Sequence, residues 1–359
     1  MSVLLIDLLV LAISLTALAL FSEWVVRSGI RISRLLKISE LTIGFILISV
    51  LTSLPELLVS MTSAAGGTFA LSVGNVFGAN VVDIALVLGL SFYIYPKKFR
   101  NKRAVKKLST ALLLSSGITI IFLLFGSVGR LAGIFLVASF FFFCYYLFRE
   151  KLNIHETESI YSQGKTTIAS KISRLHFEEK VFFSGGHLGS KERATAISFL
   201  NLLIGMVLVV FSAGFVVKAA TSIAAGSGIS ESILGALVIA LGTTLPELSI
   251  GLAAFRKGHI GLALGDSLGS TVTNLTLVLG SGLLISSASL NLTFFSTLAL
   301  FSLLTNIAFW HIITTKDELG KSEGKFLLAI YSAFVLFLLA SQLYLLKEEL
   351  FSFVLGAFG

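Results

Sequence analysis

Thr52-Ser53-Leu54-Pro55-Glu56-Leu57 carries the same pattern as Thr243-Thr244-Leu245-Pro246-Glu247-Leu248, 191 residues further on (247 minus 56). The register that joins them continues in both directions without a gap. It sets Val25-Val26-Arg27 on Val216-Val217-Lys218 and Ile38-Ser39-Glu40 on Ile229-Ser230-Glu231. Downstream it sets Gly74-Asn75-Val76-Phe77-Gly78 on Gly265-Asp266-Ser267-Leu268-Gly269, and Leu86-Val87-Leu88-Gly89 on Leu277-Val278-Leu279-Gly280. One register held over about 65 residues marks an internal duplication.

The duplication lies in a chain of 359 residues that is 55% hydrophobic and 13% charged, with a mean hydropathy of +0.96. A soluble domain carries about 25% charged residues, so this is a membrane protein. Ten apolar runs are long enough for a helix to cross the hydrocarbon core: Leu4–Leu20, Leu41–Met61, Phe69–Ile94, Leu108–Phe125, Leu131–Phe148, Ile197–Ala220, Ile233–Phe255, Ile260–Ile285, Leu292–Ile313 and Phe326–Leu346. Cys144 is the one cysteine, which excludes an intramolecular disulfide and a Cys-based metal site. The net charge of +8 would suit nucleic acid, but basic loops on one side of a membrane account for it.

Those loops set the orientation. Arg27, Arg31, Arg34 and Lys37 follow the first run, and Lys97, Lys98, Arg100, Lys102, Arg103, Lys106 and Lys107 follow the third. Arg256 and Lys257 follow the seventh, and Lys316, Lys321 and Lys325 the ninth. The even-numbered loops hold Arg130 alone, with Lys218 at the end of the sixth run. Odd loops are therefore expected in the cytoplasm and both termini outside. No basic residue precedes the first run, so it reads as a retained helix rather than a signal peptide. Residues 149–194, which mix both charges with Ser, Thr and Gly, read as a cytoplasmic linker between halves at 1–148 and 195–359. His155, His176 and His187 in that linker match no metal spacing.

Five spans separate the starts of the two copies, and five is odd. The second copy, 235–281, thus crosses the membrane in the opposite sense to the first, 44–90. The expected fold is an all-α membrane protein of ten transmembrane helices in two inverted-topology repeats of five. Such repeats recur in secondary transporters, whose sites lie at the midplane where broken helices of both copies meet.

The centre of each copy carries the chemistry. Pro55 and Pro246 fall in the middle of spans two and seven; each lacks an N–H and is expected to kink the helix, freeing carbonyl oxygens. Glu56 and Glu247 follow directly. A carboxylate within the bilayer needs a partner or a watery cavity, and a cation neutralises two of them. With the hydroxyls of Thr52, Ser53, Thr243 and Thr244 they form an oxygen-only set that suits Ca²⁺ or Na⁺. Spans three and eight add Asn75, Ala79 and Asp83, and Asp266, Ser270 and Asn274, each spaced by four on one helical stripe. Asp83 and Asn274 are repeat equivalents. Asp266 reads equally as an ion contact or as an N-cap. Glu40 and Glu231 each follow a serine and read as helix-start signals. Asn306 and His311 have no repeat-supported partner, and the aromatic-rich stretches Ile134–Phe148 and Phe294–Trp310 read as lipid-facing or packing surface.

These segments resemble the paired alpha repeats of the calcium/cation antiporter superfamily, and most of all its prokaryotic sodium/calcium exchanger branch. The family pattern G-T-S-x-P-E-L, then G-N-x-x-G-S-N and an apolar L-V-L-G, is matched in spacing by both copies. The G-N-x-x-E of the proton/calcium branch is absent. The resemblance implies that Glu56 and Glu247 chelate Ca²⁺ with oxygens of Thr52 and Thr243 beside them. It further implies that Ser53, Thr244, Ser270 and backbone near Ser49 and Ala240 serve Na⁺, and that the polar positions closing the second motif fall on Asp83 and Asn274. Three departures stand out: Leu51 replaces the first glycine, Ala79 replaces a serine, and the acid expected at Asn274 sits at Asp83 instead.

The function expected from this resemblance is exchange of Ca²⁺ for Na⁺ by alternating access, with H⁺/Ca²⁺ exchange as the alternative. An intramembrane aspartyl protease, suggested by Asp83, Asp266 and Gly265-Asp266, is a remote alternative, because Ala263 stands where its G-x-G-D pattern needs glycine. The expected partners are Ca²⁺, Na⁺ and the lipid bilayer, with no cofactor, no nucleic acid and no obligatory protein partner. The expected location is a prokaryotic cytoplasmic membrane.

Overall fold

The computed structural model describes residues 2–67, 69–98, 102–124, 129–149, 191–225, 241–285, 292–316 and 318–357. Helices dominate. The first is α1 (Ser2–Leu36), followed by α2 (Glu40–Thr52) and α3 (Leu54–Ala65), which are two arms of one broken span bent by 43°. Next, α4 (Phe69–Val81) runs on through a π-helical turn, Val82–Leu88, to Ile94. The first half closes with α5 (Lys102–Leu124) and α6 (Arg130–Arg149).

In the second half α7 (Lys191–Ala225) precedes α8 (Leu245–Lys257). Then α9 (Ile260–Thr273) passes through a π-helical turn, Asn274–Val278, and ends at Ile285. Helices α10 (Leu292–Thr315) and α11 (Lys321–Ala357) complete the chain. Among the described residues eight helices are long and apolar enough to span a membrane, and the α2–α3 pair makes a ninth. The seventh expected run is described only from residue 241, and the linker lies outside the described residues between 150 and 190.

Several helices outrun the apolar stretches that announce them. α1 continues beyond Leu20 to Leu36 because Val25, Val26, Ile30 and Ile32 keep a buried stripe turned inward while Arg27, Arg31 and Arg34 face the other way. An apolar count measures hydrocarbon thickness, whereas a helix continues until its backbone bonding is interrupted. Two short strands are an addition to the expected helices: β1 (Lys97–Lys98) pairs antiparallel with β2 (Glu318–Leu319), joining the turns after α4 and α10.

The largest helix contact is that of α1 along α7, two helices that occupy equivalent places in the repeats. At the centre, α9 lies directly on α2. A Cβ on Gly265 would run into the Leu41 carbonyl and the Phe45 amide, and one on Gly44 into the Leu262 carbonyl. With no side chain there, the two backbones touch, as glycine permits between membrane helices. That seam positions the site.

Candidate functional site

The sequence builds two half-helix starts, one in each copy. α2 begins at the N-cap Ser39, whose hydroxyl accepts from the Thr42 amide at 3.1 Å. A π-helical turn, Gly44–Ile48, precedes Ser49–Thr52, and the helix stops at Ser53 (φ −79°, ψ 7°). Pro55 then falls in the first turn of α3, where its missing N–H costs no hydrogen bond. The expected kink is thus a full break. The second copy repeats it: Thr244 (φ −92°, ψ 3°) precedes α8, with Pro246 in the first turn.

Glu56 and Glu247 therefore stand in the first turns of α3 and α8, at the positive ends of the helix dipoles. Each has across from it the threonine of the other copy: Thr243 beside Glu56, and Thr52 beside Glu247.

The same crossing holds one layer further. The Thr52 hydroxyl reaches Asp266 Oδ1 at 3.2 Å and Ser270 Oγ at 3.1 Å, while Thr243 reaches Asn75 Oδ1 at 3.4 Å. Asn75 and Asp266 are repeat equivalents, so one contact is the pseudo-twofold image of the other. The α2–α9 seam produces the first of them: with no Cβ at Gly265 or Gly269, Thr52 meets Asp266 and Ser270 across the interface. Asp266 sits well inside α9, whose N-cap is His259, so the N-cap reading of Asp266 is overturned.

Asp83 and Asn274 lie in the two π-helical turns of α4 and α9. A π turn adds a residue to the helical circuit and is common at functional sites. Asp83 comes within Coulombic reach of Glu247, Glu56 and Asp266. Four carboxyls thus share one buried region, each no more than 1% exposed. Among the described residues none of them pairs with Lys, Arg or His. Among the described residues, both oxygens of Glu56 and of Asp83, Oε2 of Glu247, Oδ2 of Asp266, Ser53 Oγ and the amide of Asn274 find no hydrogen-bond partner.

Buried carboxylates without counter-charge are costly, and hard cations meet that cost with oxygen ligands. Among the described residues no three Asp, Glu, His or Cys side chains form a metal-holding group by themselves. Hydroxyl, amide and carbonyl oxygens must therefore complete any ion shell. Thr52, Thr243 and Ser270 border this region, Ser53, Thr244 and Asn274 are buried beside them in the chain or the repeat, and the Ser49 hydroxyl is donated to the Phe45 carbonyl. Ala240 lies outside the described residues.

Some partners could not be named from the sequence. Asn75, on the stripe expected to add oxygens, meets Thr243 of the other copy. Asn306, left without a partner by the repeat, donates to Ser116 Oγ at 2.8 Å. Glu40 opens α2 as expected and also meets His259 Nδ1 at 2.9 Å; Glu231 lies outside the described residues.

Helix breaks just before Pro55 and Pro246, in inverted repeats around buried acids, define a secondary transporter of cations. The family model for the sodium/calcium exchanger protein matches the chain twice, at residues 6–149 and 197–340, the same 191-residue displacement (197 minus 6). The chain belongs to the sodium/calcium exchanger family. It is 27% identical over 349 residues to the sodium/calcium exchanger MaX1 of Methanosarcina acetivorans, covering 93% of this chain and 98% of that protein. It is 30% identical over 254 residues to the inner membrane protein YrbG of Escherichia coli, covering 71% and 72% respectively. Its fold is similar to that of the sodium-calcium exchanger NCX_Mj, with a TM-score of 0.73 and 23% identity over 93% of this chain and 98% of that one. The protein is a multi-pass cation antiporter rather than an enzyme, and the protease reading falls with that membership.

Proposed function

We propose that this antiporter exchanges Ca²⁺ for Na⁺ across a prokaryotic cytoplasmic membrane by alternating access. One observation carries the reading: acids from both inverted copies converge, buried and, among the described residues, without counter-charge. Glu56 and Glu247 chelate Ca²⁺, with Asp83 and Asp266 adding charge and Thr52, Thr243, Ser53, Thr244, Ser270 and Asn274 adding neutral oxygens. Backbone near Ser49 and Ala240 serves Na⁺.

Coupling follows from electrostatics. The carboxylates must be neutralised in every state that crosses, either by one Ca²⁺ or by several Na⁺, and an empty site crosses slowly. Because the copies are inverted, exchanging their conformations exposes the same ligands to the opposite side.

H⁺/Ca²⁺ exchange is the second reading. It is favoured by the presence of four acids and by Ala79, which removes a hydroxyl that Ser270 supplies in the other copy. The deciding experiment measures ⁴⁵Ca²⁺ uptake into proteoliposomes loaded with Na⁺, with choline, or holding only a pH gradient. Uptake requiring outward Na⁺ supports the first reading; uptake driven by the pH gradient alone replaces it with the second.

A further inference from the structure

The copies are inverted, so an isolated ionic contact at one end of the bundle has no counterpart at the other unless the sequence repeats it. Glu23 of α1 makes such a contact. Its carboxylate is bonded to the Arg256 guanidinium, lies 3.0 Å from Lys257 Nζ and 3.5 Å from Arg27, and is 15% exposed. Next to it, Ser22 Oγ and Ser249 Oγ are 2.6 Å apart. Arg256, Lys257 and Ser249 all belong to α8, the helix that opens with Glu247.

The 191-residue register shows what stands at the other end. Glu23 maps to Gly214, Arg256 to Ala65, Lys257 to Gly66, Ser22 to Ala213 and Ser249 to Leu58; Arg27 alone keeps its charge, as Lys218. Neither the ion cluster nor the hydroxyl pair is repeated. We infer that Glu23 is a one-sided latch, tying α1 to α8 at the basic end of the bundle and favouring the state closed at that end.

The charge balance gives the latch its strength. One carboxylate holds three cations, so removing it leaves Arg27, Arg256 and Lys257 repelling one another across the α1–α8 contact. Closure at the basic end then loses its tie and gains a repulsion, while the opposite end is untouched. The transport consequence rests on the antiporter reading above, but the latch itself does not.

The test labels a cysteine with a membrane-impermeant maleimide from the basic side of the full-length protein in proteoliposomes. Cys144 is first replaced by alanine, and Ala253→Cys, on α8 between Ser249 and Arg256, supplies the reporter. Glu23→Gln is expected to raise the labelling rate about tenfold, the effect of about 1.4 kcal/mol on a two-state equilibrium. High salt should raise the rate in the parent, whose tie it screens, and lower it in Glu23→Gln, where it screens the remaining repulsion. The double variant Arg256→Gln/Lys257→Gln should also label faster, which covers the case in which Glu23→Gln fails to fold. Unchanged labelling in the folded variants, or a parent rate insensitive to salt, overturns the latch. Labelling needs no transport, so absence of Ca²⁺ flux in the parent refutes the exchanger reading and leaves the latch to its own result.

Discussion

At the scale of single residues, the site is a balance of charge and neutral oxygen. Replacing Glu56 or Glu247 by Gln removes one chelating charge, and ⁴⁵Ca²⁺ exchange in proteoliposomes should drop to the level of protein-free vesicles. Wild-type flux in either variant would sink the assignment. Thr52→Val keeps the volume and deletes the hydroxyl that joins Asp266 to Ser270. Losing such hydrogen bonds costs about 0.5–1.5 kcal/mol each, so the concentration of Ca²⁺ giving half-maximal flux should rise by about tenfold. Ala79→Ser works in the other direction, restoring at α4 the oxygen that α9 has at Ser270. Flux titrated against Na⁺ should then saturate at lower Na⁺, by about threefold. Glu56, Glu247 and the prolines before them were legible in the sequence because charge and proline are rare in apolar runs and both recur in register. The role of Asn75 was less so, since an amide at a stripe position is also ordinary helix-packing material.

At the scale of elements, two features shape the site: the breaks before Pro55 and Pro246, and the seam between α2 and α9. The seam has no slack. Gly265→Leu puts a branched side chain against the Leu41 carbonyl, and overpacking of this kind costs about 1–3 kcal/mol. Thermal unfolding of the purified variant should begin at lower temperature, and Ca²⁺ should protect it less because Thr52 is pushed away from Asp266. The breaks were foreseeable from proline. The π-helical turns at Val82–Leu88 and Asn274–Val278 were not, because an inserted residue leaves no mark on an apolar run that is buried on every side. Nor was the β1–β2 pair, a two-residue contact between distant turns with no alternating pattern to announce it.

At the scale of the whole molecule, the proposed exchange links ion binding to folding. A Ca²⁺ held as proposed neutralises acids contributed by both halves, so it should stabilise the assembled bundle over any state in which they separate. Ca²⁺ at a hundredfold excess over its dissociation constant contributes about 2.7 kcal/mol by mass action. The unfolding midpoint of the detergent-solubilised protein should rise with Ca²⁺ and fall again on chelation, and Glu247→Gln should abolish the difference. The inverted plan was readable from the odd number of spans between copies. The contacts that break its symmetry, such as Glu23 with Arg256, were hidden, because a repeat reveals only what it repeats.

The crossed threonines bear on the origin of this architecture. Thr52 serves an acid of the second half, and Thr243 reaches an amide of the first. Neither half contains a finished site. A precursor with a single copy could have assembled one only by pairing with a sister molecule inserted upside down, which requires a polypeptide with no fixed preference for either face of the membrane. Joining two such copies in one chain fixes the orientation of each half. Basic loops are then free to settle on one side, and positions such as aspartate at 83 and asparagine at 274 are free to differ between the halves.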